Sequence, residues 1–232
     1  AKPTLRVEKK VARTLPEIVT KRFELLEAYQ DRNYAERYRS FVDNVAKAEK
    51  ERARGRSGLA EAVARSLYKL MAYKDEYEVA RLYTDGEFHK KLATQFEGDY
   101  KVTFHLAPPL FADRDPTTGQ LKKSEYGPWV MPLFRVLASL KRLRGTRLDL
   151  FGYSEERRME RRLIDEYRAT VETLIATLDQ GNHALAVEIA EVPETMRGFG
   201  HVKEKNVRLA KQREASLLAS YRNPAAQAAA AE

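Results

Sequence analysis

The stretch RGFGHVKEKN, Arg197 to Asn206, gathers two glycines, one of four histidines and three basic side chains into ten positions. If Gly198 and Gly200 form a hinge, His201 stands at the start of the last helix. Exposed N–H groups there, with Arg197, Lys203 and Lys205, would favour a phosphate or carboxylate. The competing expectation is a plain glycine-hinged junction between two helices with solvated charges. A second group lies in YKDEYEVARLY, where Lys74 with Glu78 and Glu78 with Arg81 stand at i,i+4 and i,i+3. That spacing makes a charged helix surface or an interface. Asp75, Glu76 and Glu78 could supply a carboxylate pair for acid–base work, yet nothing in their spacing demands it. His105, on the polar side of YKVTFHLA, sits just before Pro108-Pro109, where a side chain could face a cleft. His89 and His183 are expected at the surface. The histidines lack metal-ligand spacing, so no metal site is expected, and no residue is assigned as catalytic.

Composition narrows the chemistry further. The 232 residues include no cysteine, which removes disulfides, thiolate nucleophiles and cysteine-ligated zinc or iron–sulfur clusters from this chain. The GxGxxG, GxxxxGK[ST], HExxH and GxSxG patterns are all missing. No apolar run reaches the ~20 residues needed to cross a bilayer, and the first residues lack a signal-peptide apolar region, so a cytoplasmic protein without membrane contact is expected. A net charge of +8 calls for an acidic partner, although runs such as EERRMERR read first as a salt-bridged solvent face.

The elements that must hold these groups are mostly helices. Residues 1–15 lack periodicity and read as a linker or arm, and residues 223–232 as a low-complexity tail. Between them, residues 16–222 read as one helical domain. Apolar stripes mark a helix from Pro16 and another from Leu59, capped by Ser57 and continuing into YKDEYEVARLY, with a polar helix over Tyr34 to Arg52 between them. A further helix covers Glu87 to Phe96. YKVTFHLA then alternates as a half-buried strand does. A polar loop with turn chemistry at Asp115-Pro116 and Gly119 follows. Pro128 opens another helix, and GTRLDLFGY supplies a second short strand through Leu148 and Leu150, expected to pair with the first. Ser154 caps the longest helix, Asn182 caps a short one, and a charged helix runs from His201 to about Tyr221. The fold class expected is mainly α (α+β), a helical domain with a minor two-stranded β element.

Five blocks carry more than their local structure. SLYKLMAYKDEYEVARLYTD, YKVTFHLAPPLF, YGPWVMP, LFGYSEERRMERRLIDEY and RGFGHVKEKN, in this order, resemble the C-terminal region of the long, fused bacterial indolepyruvate ferredoxin oxidoreductases. The resemblance spans about Pro16 to Arg208. It implies an enzyme of the 2-oxoacid:ferredoxin oxidoreductase family that converts an arylpyruvate and coenzyme A to an aryl-acetyl-CoA, carbon dioxide and reduced ferredoxin. Thiamine diphosphate, Mg and 4Fe-4S clusters are then expected in the rest of the enzyme, with no cofactor bound by this chain alone. The expected role is an accessory C-terminal domain or subunit, with the catalytic core as partner and ferredoxin as a second candidate partner for a basic face. The alternative is a free-standing basic helical binding or adaptor module. Its aromatics lie mostly on apolar stripes instead of beside basic residues, which argues against nucleic acid as the partner. A small enzyme built on His201, Arg197 and a helix carboxylate is the weakest reading.

Overall fold

The computed structural model describes residues 14–96, 98, 101–106 and 124–223. In chain order its helices are α1 (Leu15–Tyr29), α2 (Arg32–Arg52), α3 (Leu59–Met71), α4 (Glu76–Thr84) and α5 (Glu87–Gln95). Strands β1 (Phe104–Leu106) and β2 (Ser124–Tyr126) follow, then α6 (Met131–Ser139), α7 (Glu155–Ala176), α8 (His183–Glu191) and α9 (Gly200–Arg222). Short 3-10 turns occupy Pro128–Val130, Leu140–Leu143 and Val192–Thr195. The protein is mainly α-helical with one small antiparallel sheet among the described residues. The linker, the tail and the turns at Asp115-Pro116 and Gly119 fall outside those residues, apart from the positions next to α1 and α9.

The chain divides into two compact units, one formed by Ala1–Ala72 with Glu160–Glu232, the other by Tyr73–Met159. In the first, local chemistry sets the starts of α1 and α2. Thr14 N–H donates to Glu17 Oε2 at 3.2 Å, one arm of a capping box, and Asp31 Oδ1 accepts from Tyr34 N–H at 2.8 Å. Leu26, Val42, Val45, Leu59, Leu67, Val171, Leu174 and Ile189 are fully buried. Each such side chain contributes about 1.5–3 kcal/mol by leaving water. Phenols brought into this core end on backbone carbonyls. Tyr38 Oη donates to Ala64 O, Tyr167 Oη to Ala190 O and Tyr221 Oη to Leu174 O, each at 2.9 Å. Their hydroxyls are thereby satisfied without water, and burial pushes the Tyr38 and Tyr167 phenols well above the usual range.

Helix α3 starts in an unexpected way. Gly58, at φ +119°, takes the N-cap position in place of Ser57 and brings no side chain to it. Glu49 of α2 substitutes from outside. Its Oε1 accepts from Leu59 N–H at 2.8 Å and its Oε2 from Ala60 N–H at 3.0 Å, and the same Oε1 lies 2.7 Å from His183 Nε2. Because this carboxylate already accepts on both oxygens, His183 is the donor in that bond. His183 is buried, which corrects the surface position expected for it: its ring is held by a carboxylate 134 positions away.

The second unit has its own core of Ala80, Phe104, Val130 and Phe134. Tyr83 stacks on Phe134 at 5.6 Å and meets Phe104 edge-on at 5.0 Å. β1 pairs antiparallel with β2, Phe104 opposite Tyr126 and His105 opposite Glu125. The expected partner strand at Leu148 and Leu150 is therefore corrected. Residues 144–154 form successive turns around the buried carboxylate of Asp149, which accepts from Gly145 N–H at 2.7 Å and Gly152 N–H at 3.0 Å. The alternation is present with its sense reversed, since Leu148 and Leu150 are exposed at 69% and 71% while Asp149 is buried. The expected run of α3 into YKDEYEVARLY is also corrected: α3 stops at Met71, and Asp75 Oδ1 caps a separate helix, α4, by accepting from Glu78 N–H at 2.8 Å.

Candidate anion-binding site

The residues singled out in the sequence fall into separate surroundings. Gly198 and Gly200 both take positive φ, +104° and +53°, and a Cβ on Gly198 would lie 2.8 Å from Val202 Cγ1. The turn thus demands glycine for conformation and for close approach. Arg197 Nε donates to Glu194 O at 3.0 Å, and Asn206 Nδ2 donates to Arg197 O at 2.7 Å, lacing the turn to the first turns of α9. His201 is exposed. Lys203 is committed to the buried Glu160, Nζ to Oε1 at 2.5 Å.

In the second unit, Glu78 turns to Arg81 through two bonds of 2.8 Å, and Arg81 reaches Asp85 at 3.4 Å. Of the two pairings expected for Glu78 this is the i,i+3 one, and Lys74 precedes the Asp75 cap, outside α4. Asp75 meets Arg144 instead, Oδ2 to Nε at 2.5 Å and Oδ1 to Nη2 at 2.9 Å, with both side chains nearly inaccessible. Tyr77 Oη donates to Asp149 Oδ1 at 3.2 Å, and its ring stands edge-on to Phe151 at 5.4 Å. Glu76 lies 3.8 Å from Arg157, and burial, only partly offset by that guanidinium, raises its carboxyl above the usual range. His105 is exposed on β1. Asp75, Glu78 and Asp149 are met by guanidinium, backbone or phenol donors, whereas Glu76 Oε2 is buried without a hydrogen-bond partner.

A cavity of about 320 Å³ in the first unit is chemically different, being lined by Arg22, Arg65, Tyr68, Lys69, Ala72 and Glu194. Arg65, Tyr68 and Lys69 come from adjacent turns of α3, Arg22 from α1 and Glu194 from the 3-10 turn ahead of α9. The Arg22 guanidinium lies 4.1 Å over the Tyr68 ring. Lys69 Nζ donates to Pro193 O at 2.9 Å and Glu194 O at 2.7 Å, while Glu194 Oε2 stands off at 4.0 Å. Burial holds the Lys69 ammonium below the usual lysine range; Glu194 opposes this, and the charges of Arg197 and Lys203 add to it. Arg197 and Lys203 thus make themselves felt at this cavity through Lys69, whereas His201, His105 and the Lys74, Glu78 and Arg81 group belong elsewhere.

Arg22, Arg65 and Lys69 were not among the residues singled out from the sequence. The i,i+4 spacing of Arg65 and Lys69 beside an apolar stripe was a visible signal, but Arg22 and Glu194 arrive through tertiary packing. Among the described residues, no group of three or more His, Cys, Asp or Glu side chains is placed to hold a metal ion. No described helix is long and apolar enough to cross a membrane.

A family profile described as "Family of unknown function (DUF6537)" matches residues 15–216. The chain belongs to the DUF6537 family. No curated protein and no solved structure matches the chain. The DUF6537 match takes in α1 through most of α9, so the whole second unit, the larger part of the first and the residues of the basic cavity lie within it.

Proposed function

We propose that this chain is the accessory helical domain or subunit of an indolepyruvate (arylpyruvate):ferredoxin oxidoreductase. In this reading the thiamine diphosphate and iron–sulfur chemistry is carried by the rest of the enzyme. The observation that carries it is the ordered set of five sequence blocks resembling the C-terminal region of that enzyme family. Two features support a packing role for those blocks. Tyr77 of the YKDEYEV block touches Phe151 of the LFGY block, and Glu160 of RRMERR holds Lys203 of GHVKEKN. Residues that meet in this way maintain a shape, as a supporting domain requires. The second feature is an exposed apolar stripe at helical spacing, Trp129, Leu133, Val136 and Leu140, of the kind that covers itself on another protein surface. The catalytic core is the partner expected there, and a basic face would receive acidic ferredoxin.

The test is reconstitution. The chain is co-expressed with the thiamine- and cluster-binding part, and arylpyruvate- and coenzyme A-dependent reduction of ferredoxin is compared with and without it. The expected result is a stable complex whose ferredoxin-dependent rate exceeds that of the core alone and falls with salt. Absence of a complex, or tight binding of the isolated chain to RNA or DNA, would replace this reading with the free-standing basic module.

A further inference from the structure

We propose that the cavity between α1, α3 and the turn at Val192–Thr195 binds a small soluble molecule through a phosphoryl dianion. The lining carries three cations, Arg22, Arg65 and Lys69, against one carboxylate, Glu194. The balance is two positive charges, the complement of a phosphoryl dianion. Neither arginine has a carboxylate partner among the described residues, in a chain where Arg81, Arg144, Arg157 and Arg213 all do. Arg22 is instead stacked on Tyr68. A guanidinium held by its face keeps its in-plane N–H groups free for the two-pronged contact that phosphate oxygens accept.

Lys69 is fixed by two backbone carbonyls, which leaves one of its three ammonium protons. Glu194 Oε2, at 4.0 Å, is too far to accept it as a hydrogen bond. An anion in the cavity would accept that proton and displace the Glu194 carboxylate, which is half exposed and free to swing away. The volume of about 320 Å³ exceeds that of a phosphoryl group alone and sits at the low end of the range of ligand sites, so a small ester fits. The cations converge on one volume instead of tracking along a helix, which suits a small molecule better than a nucleic-acid strand.

The inference is independent of the oxidoreductase reading, and its test uses the chain by itself. Pyrophosphate is titrated calorimetrically into the full chain, with a single-stranded oligonucleotide as a parallel probe. Saturable binding of one pyrophosphate per chain is expected. Arg65→Gln, at an exposed position where folding is not at stake, should weaken it about tenfold or more, the worth of a charge-assisted contact. Glu194→Gln should tighten it several-fold by removing the competing carboxylate. Arg162→Gln, which removes the same charge from an exposed pair with Glu166, should leave it unchanged. No saturable binding at millimolar pyrophosphate overturns the proposal. So does Glu194→Gln failing to tighten binding, Arg162→Gln weakening it as much as Arg65→Gln, or an oligonucleotide binding more tightly than pyrophosphate in a manner that survives Arg65→Gln.

Discussion

Glu49 of α2 ties α3 and α8 to its own helix through one carboxylate. It satisfies the first N–H groups of a helix that begins on glycine and also holds His183. Glu49→Ala leaves two buried backbone donors without partners, together with a buried imidazole N–H. Since one such orphan costs about 1–3 kcal/mol, the substitution is expected to lower stability by about 3 kcal/mol or more, read as a shift in the urea midpoint at unchanged slope. Gly198 has a similarly local demand. Gly198→Ala meets both the positive φ and the 2.8 Å approach to Val202, and an expected loss of about 1–3 kcal/mol is again measurable by urea denaturation. The glycine hinge was readable from RGFGH because glycine spacing is a local signal. His183 was misjudged because nothing near it in the chain names Glu49.

Helices were the legible scale. Stripes such as Leu59, Val63, Leu67, Leu70 and Met71, and caps such as Ser154 beneath Arg157 N–H, act over one or two turns and are written in consecutive residues. The junction at Ala72–Asp75 was not legible, since the apolar spacing runs on through Tyr73 and Tyr77. The break is made by Asp75, which caps α4 with one oxygen and grips Arg144 with both. Removing either partner of a buried pair costs about 3–5 kcal/mol. Arg144→Met should therefore destabilise by about that amount, and the double variant Arg144→Met with Asp75→Asn should recover part of the loss, a comparison made by thermal melting of the four proteins. Glu76, first residue of the same helix, gives this element a pH dependence. Its carboxyl is raised in the folded state, so the folded chain holds that proton more firmly than the unfolded one. The resulting stability is complete below the ordinary glutamate range and is lost as pH rises through the raised value. Glu76→Gln should flatten that decline, checked by urea midpoints across the mildly acidic range.

Across the whole molecule, the basic cavity was the part least visible in advance. The chain's charge of +8 pointed to an acidic partner without saying where, because Arg22 and Glu194 come together only when residues far apart in sequence fold into one unit. That unit draws α1 to α3 from one segment and most of α7, with α8 and α9, from another. Tyr167 and Tyr221 reach their carbonyl partners entirely within the later segment, whereas His183 and Lys69 tie it to the earlier one. A chain ending at Met159 would leave Leu59, Leu67 and their neighbours facing water. It is expected to lose the cooperative melt of this unit and to aggregate, which circular dichroism and light scattering would report.

The interruption of that unit also sets an order of events during synthesis. At roughly 5–20 residues per second, the whole stretch 73–159 is made in the several seconds between completion of α3 and arrival of the first residues that cover it. Throughout that interval the apolar face of α3 and the future floor of the basic cavity are in the hands of whatever meets the nascent chain. The need of this protein for a chaperone should therefore be concentrated in its first segment.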